Sequence, residues 1–596
     1  LQPGATRYHG CDPNADKPGN REVTVTRRAD PLSHPKAREA AGLFSDGKLD
    51  RREFVRIVTL LGASAATAYA LAGLPDPVRA DEHGLPFPEP DGEAKPGGTL
   101  RIAMQVMPID DPATYTWVQA SNQVRHTLEN LTFTGPDNIT RPMLAAGWEA
   151  ADDLRSWTFT LRDNIKWHNG ETLTSEHIKW NFERWCDPKL GSSNISLSTF
   201  AAMVEETDSG DKDAADKPIK VKRLIPGAIE VVDALTIRLN LRKPVLSVPE
   251  DLYNYPTAIL HPSFKPPVGP ETIGTGPFRI ASYALADHCT LARVAALPDG
   301  QPFDYWGGPV YLDEIHYVHF DAEFQLIAFA AGQVDAVYEL GFEQLDYARS
   351  LDGHLLSAPS AQTLCCRFQI DTPPFDDVRV RQALVLAVDN KAVLETVFPA
   401  DGGLGQNHHV APIHPEYFEL PALARDVEQT RNLLKAAGQE SLTLKIVTGN
   451  TEGLWHQRVC EAIRDQLKEA GVRLDIEVQQ PATYWAVWDK VPLGATPWTH
   501  RPLGTQALSL GYRSGAPWNE THFSSEAFDR ALDEAETTLD PAERKAKMEL
   551  VEKILQDASV MWQPVFRPVY MLVSKSVHGF TAHPTQFHQL QRVWVG

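Results

Sequence analysis

The chain is expected to fold as an α/β protein, and three observations point there. Short runs of alternating or continuous apolar residues read as strands: Thr99–Met104, Ser156–Leu161, Ile229–Leu241, Ile315–Phe320, Thr363–Ile370, Leu442–Val447 and Arg473–Val478. Between them lie segments with helical periodicity: Ser121–Leu131, Ser175–Trp185, Ala322–Gly332, Val378–Val397, Val427–Ala437, Leu454–Ala470, Ser525–Leu539 and Pro541–Gln556. The third observation is size: 596 residues, 42% hydrophobic and 23% charged, can build several lobes with their own cores. Interleaved strands and helices give the mixed class.

Taken in order, the first eighty residues read as a leader. In "DRREFVRIVTLLGASAATAYALAGLPDPVRA", Arg51 and Arg52 precede a mildly apolar stretch from Ile57 to Leu74. This resembles a twin-arginine export signal, with Ala70-Leu71-Ala72 and Val78-Arg79-Ala80 as candidate cleavage sites. The stretch is rich in Ala, Gly, Ser and Thr, too short and too weakly apolar for a stable membrane span. Residues 81–96 form a Pro/Gly/acidic linker, and the mature fold is expected to begin at "TLRIAM". Helix starts carry matching caps at Thr174-Ser175-Glu176 and Ser524-Ser525-Glu526. The acidic stretch "EETDSGDKDAADKP" (205–218) reads as a solvated surface insertion.

Charge and motif content exclude several functions. With 78 acidic against 57 basic residues the net charge is −21, which speaks against a nucleic-acid binder. A small anion held by a few local cations remains compatible. The six cysteines form no CxxC, and the adjacent Cys365 and Cys366 read as small buried hydrophobes. An exported enzyme is the competing class, but GxSxG, HExxH, GxxxxGK[ST] and GxGxxG are all missing. "QNHHVAPIHPEY" holds His408, His409 and His414, and is the one stretch that raises a metal-binding protein. Adjacent histidines on an extended chain point apart, so the loop reads as structural or ligand-contacting.

Six blocks in order carry a family resemblance. "GGTLRIAM" opens it. "LAAGWEAADDLRSWTFTLRDNIKWHNGETLTSEHIKWNFER" (144–184) is the most diagnostic. "IGTGPFRI" (273–280), "FQLIAFAAGQVDAVYEL", "PPFDDVRVRQALVLAVDNKAVL" (373–394) and "WNETHFSSEAFDRALDEA" follow. Together they resemble the solute-binding proteins of ABC importers, family 5, the peptide and nickel class. The resemblance implies a two-lobed periplasmic-binding-protein fold of type II, with an interlobe cleft and a hinge. Lobe I would hold 97–345 with 568–596, lobe II 355–567, and the crossings would lie near 345–356 and 563–570. It also implies a monomer in the periplasm that needs no cofactor and passes a small-molecule ligand to a membrane ABC permease.

For the ligand, the informative stretch is "ATPWTHRPLGTQ". Prolines 497 and 502 forbid a regular helix, and the loop between them carries Trp498, His500 and Arg501. The resemblance implies that peptide binders present an Asp here to the peptide amine. This chain has no acid between Trp498 and Gly515, and Arg501 would instead grip a carboxylate. The expected solute is therefore anionic or zwitterionic: an acidic or modified peptide, an opine-like conjugate, or a polycarboxylate metal chelate. Further expected contacts are Arg367, Tyr115, Trp117, His408, His409, Tyr512, Trp518 and Asn519. Tyr484, Trp485 and Trp488 read as core more than pocket.

Overall fold

Two long strands, Gly353–Phe368 and Val565–Ser574, run side by side through the middle of the molecule and join its halves. They belong to a 12-stranded mixed sheet. On one side, Ala336–Val337, Thr99–Met104, Glu314–His319, His288–Arg293 and Phe278–Ala284 extend the sheet through lobe I. On the other, Leu493–Trp498, Thr443–Thr448 and Arg473–Val478 extend it through lobe II. The computed structural model describes residues 31–75, 87, 92–212, 218–398, 402–538 and 540–596.

The register of the two long strands breaks between Ala358 and Gln362, opposite Arg567–Val569. Pro359 and Pro568 stand at this break. A proline has no ladder donor, so both strands lose regular pairing at the same level, where the sheet can bend. This break lies just beyond 345–356, where the first crossing is expected. Leu345–Ser350 is a short helix before it.

A four-stranded antiparallel sheet sits on lobe I, in the order Ala145–Ala150, Ser156–Leu161, Thr236–Asn240, Ile229–Asp233. Trp157, Phe159 and Leu161 alternate inward from Ser156–Leu161, all fully buried. The expected single strand 229–241 is a hairpin, because the Asp233 carboxylate accepts from Leu235 N (2.8 Å) and closes a tight turn. Similarly, Val378–Val397 is two helices. Asp389 caps the second by accepting from Lys391 N and Ala392 N. In "GTGPF", a Cβ at Gly274 or Gly276 would overlap the Thr127 or His126 carbonyl, so both positions exclude larger residues. The acidic insertion forms the hairpin Val204–Lys212/Pro218–Leu224, with 213–217 outside the described residues.

The largest departure from expectation is at the N-terminus. Residues read as leader outside the fold form helices Pro35–Ser45, Arg51–Leu60 and Ala65–Leu71. Asp50 caps the second helix, leaving Arg51 and Arg52 exposed and burying Glu53–Leu60. Arg56 bridges Glu53 (2.7 Å) and lobe I Glu250 (2.9 Å), while lobe II Arg544 reaches Glu53 (2.5 Å). Trp148 Nε1 donates to Leu60 O, and Tyr69 OH to Asp137. The physical reason is amphipathy: Phe54, Val55, Ile57, Val58 and Leu60 need cover, and the lobes supply it along with partners for two charges. Val78–Ala80 and most of the linker lie outside the described residues. No helix among the described residues is long and apolar enough to cross a membrane.

Candidate ligand-binding cavity

The strand Leu493–Trp498 ends at the cleft, and Thr499–Leu503 loops away before the helix Gly504–Gly511. This loop carries Arg501 inward, to 5% exposure. Its Nη2 donates to Tyr255 OH (3.0 Å), and the guanidinium lies 4.7 Å from the Tyr255 ring centre and 5.6 Å from that of Trp518. Tyr255 and Trp518 are themselves stacked at 5.5 Å. Tyr255 falls within the range expected for lobe I, and Arg501 and Trp518 within that expected for lobe II. Among the described residues, Arg501 forms no ion pair, and its Nε has no hydrogen-bond partner. Aromatic faces partly offset the cost of burying the charge, but they are worth far less than a carboxylate.

Beside Arg501 lies a cavity of about 410 Å³, part of it open to solvent. Trp117, Trp485, Trp488, Trp498 and Trp518 wall it, with Thr116–Gln119 from lobe I and Glu452 from lobe II. Three of its N–H groups lack partners: Trp117 Nε1, Trp485 Nε1 and Arg501 Nε, together with the Thr116 hydroxyl. Glu452 accepts from Gln362 Nε2 (2.6 Å). Burial, and then the nearby Glu339 carboxylate, push the Glu452 carboxyl well above the usual range, against the pull of Arg567. Among the described residues that line the cavity, Arg501 is the one cation and Glu452 the one acid.

Of the residues singled out in the sequence, the structure brings Arg501, Trp498, Trp518 and Trp117 to this cavity. The others lie elsewhere. Arg367 is fully buried and paired with Glu520 (2.8 Å), and its remaining donors go to the Trp488 and Val491 carbonyls. Tyr115 is buried in the lobe I core beside the cavity loop. His500 accepts from Ala361 N and meets Asn138, tying the crossing strand to lobe I. His408 sits against Glu552 (3.6 Å). His409 contacts Tyr512 OH (3.0 Å) and stands edge-on to Trp498 at 5.0 Å, so it positions that indole from behind. Tyr512 bonds Met561 Sδ, and Asn519 closes a local turn through the Arg513 and Phe523 carbonyls. Burial holds His408 and His409 down at about 3 and pushes His500 well below its usual range, so these imidazoles are neutral. The loop's cation is Arg501 alone.

Sequence reasoning missed Tyr255, Glu452 and Glu520. It also weighted Trp485 and Trp488 toward the core. Glu520 is instructive: an acid does stand beside Trp498, accepting from its Nε1 (2.9 Å), but its charge is matched by Arg367. In the sequence it stands in "WNETHF", within one of the blocks that carry the family resemblance. Tyr255 and Glu452 carried no signal, because only the fold brings them within reach of residue 501.

A metal finds no ready site in the histidine-rich loop. Among the described residues, ligand-type atoms converge only at Glu171, His177 and His261. There, His177 Nδ1 accepts from Trp167 Nε1 and Thr174 N, and His261 Nδ1 accepts from Ser263 N. Both rings therefore carry their proton on Nε2, and the His261 Nε2–H faces Glu171 at 2.9 Å. The cluster is a hydrogen-bonded one.

The model of the bacterial extracellular solute-binding proteins, family 5, matches residues 140–520. The chain belongs to this family. Similar curated proteins include the heme-binding protein A of Haemophilus influenzae, 25% identical over 78% of this chain and 85% of that protein. The dipeptide-binding protein DppE of Bacillus subtilis is 22% identical over 78% and 86%. Among solved structures, the Escherichia coli murein tripeptide-binding protein MppA superposes with a TM-score of 0.72 at 20% identity, covering 83% of this chain and 98% of that one. AgaA of A. tumefacien R10, in complex with agropinic acid, gives 0.71 at 22%, covering 84% and 99%. The family-5 protein is thus a two-lobed solute-binding component of an ABC importer, acting outside the cytoplasm, and a binding protein rather than an enzyme.

Proposed function

We propose that this family-5 protein captures a small anionic or zwitterionic solute between its lobes and presents it to the membrane permease. One observation carries the reading: Arg501 is buried at the cavity wall with no carboxylate, beside two further unpartnered indole N–H groups. A ligand carboxylate completes the ion pair and satisfies donors from both lobes at once. Only the closed form collects all of these contacts, so binding favours closure. Burial and the Glu339 carboxylate favour the neutral form of Glu452, which does not repel an anion. It can also lose its proton to a ligand amine, which admits a zwitterion. The agropinic acid held by one structural neighbour fits the same chemistry. The twin-arginine reading of residues 50–80 stands beside this as the proposed route of export.

Mass spectrometry of solute released from the purified protein should return a carboxylate-bearing compound. Its affinity, measured by calorimetry, should fall roughly ten- to hundredfold in Arg501→Ala, since a charge-assisted bond is worth roughly 1.5–3 kcal/mol. An uncharged solute, or an affinity indifferent to Arg501→Ala, would sink the reading.

A further inference from the structure

Arg501 stands at the wall of two chambers. Behind it lies a second, tighter cavity, part of it open to solvent, lined by Glu250, Tyr253 and Asn254 of lobe I and by Pro502, Gln506 and Leu510 of lobe II. Asn254, Gln506 and Arg501 are 8%, 7% and 5% exposed. Asn254 Oδ1 and Gln506 Oε1 have no hydrogen-bond partner. Neighbours set the orientation of both amides. Asn194 gives its own Nδ2 to Pro256 O, so it turns an oxygen toward Asn254, which must answer with Nδ2 (3.3 Å). The Asp251 carboxylate draws Gln506 Nε2 to 3.0 Å in the same way. In each case the oxygen is the atom left over. The two chambers are thus opposite in polarity: unpartnered N–H groups on the first side of Arg501, unpartnered carbonyl oxygens on the second.

We infer that the second chamber is a subsite for an uncharged, hydroxyl-bearing arm of the same solute whose carboxylate pairs with Arg501. The inference rests on the anion reading above. Two buried acceptors call for hydrogen-bond donors, because leaving them unmet costs their full desolvation. The charges around the chamber decide against an ammonium. Arg501 shares its wall, Glu250 is already held by Arg56 from the N-terminal helix (2.9 Å), and His583 is bonded to Thr134 O and Thr585 N. Hydroxyls donate without adding charge, and the apolar faces of Tyr253, Leu510 and Phe587 suit the carbon backbone of such an arm.

D-gluconate and hexanoate make a suitable probe pair: the same carboxylate and chain length, with and without hydroxyls. Calorimetry on the full chain at millimolar concentrations should show gluconate bound at least tenfold more tightly. Asn254→Leu and Gln506→Leu should each shrink that advantage several-fold, because a leucine accepts nothing from a hydroxyl. Arg501→Gln should weaken both probes. Equal affinities in the unaltered protein, both lost in Arg501→Gln, would overturn the second subsite and leave the anion reading standing. A hydroxyl advantage that survives both amide substitutions, or binding of neither probe, would also overturn it. The wild-type comparison does not depend on any variant folding.

Discussion

Arg367 and Arg501 lie on one lobe, at neighbouring depths, and meet opposite fates. Arg367 is fully buried and complete: Glu520 takes its charge, and two backbone carbonyls take its other donors. Arg501 is almost as buried and incomplete, with two aromatic faces, one phenol and no acid. A guanidinium that has its carboxylate is part of the framework. One that lacks it, at a cavity wall between lobes, is poised for a carboxylate from outside. Residue type alone does not separate these roles; the partner does.

The largest effect should come from breaking the complete pair. Arg367→Ala strands Glu520 in the core beside Trp498, and is expected to destabilise the protein by about 3–5 kcal/mol. Urea unfolding would show this as a lower midpoint with an unchanged slope. Arg501→Ala should do the reverse, lowering solute affinity while the unfolding midpoint holds or rises, since an unpaired buried charge is removed. If Arg501→Ala unfolds as readily as Arg367→Ala, the two arginines are alike and the contrast fails. Between these, Arg544→Gln takes one partner from Glu53. The N-terminal helices should then exchange amide hydrogens faster while the lobe II core stays protected. Unchanged exchange in residues 51–60 would show that apolar packing alone holds them.

How much of this was legible beforehand follows from range. The α/β alternation and the capped helix from Ser175 are local, and local pattern is what a sequence displays. Arg501 stood out because a loop between prolines has few reasons to carry a cation. Its being unpaired was invisible, since that depends on every residue the fold brings near it. Arg367 looked equally suited to a ligand until Glu520, 153 residues away, took it. His408, His409 and the helix Arg51–Leu60 share a trait that local pattern does not display: each is buried by elements remote in the chain.

Glu552 inverts the comparison, as a buried acid without a cation, and it sets the smallest prediction. Burial raises its carboxyl to about 9, and its neighbour His408 is itself held neutral at about 3, so no charge answers it. The folded state therefore holds this proton while the unfolded chain releases it above the ordinary Glu value of 4.5. By linkage, the carboxyl's stabilising effect is complete below 4.5 and declines as pH rises toward 9. Glu552→Gln keeps the oxygen that accepts from Phe418 N (3.1 Å) and cannot ionise. Urea midpoints of variant and parent should agree near pH 5 and diverge by pH 8, with the variant higher. A parent that gains on the variant across that interval would mean His408 is charged, and that this acid, like Glu520, has its partner after all.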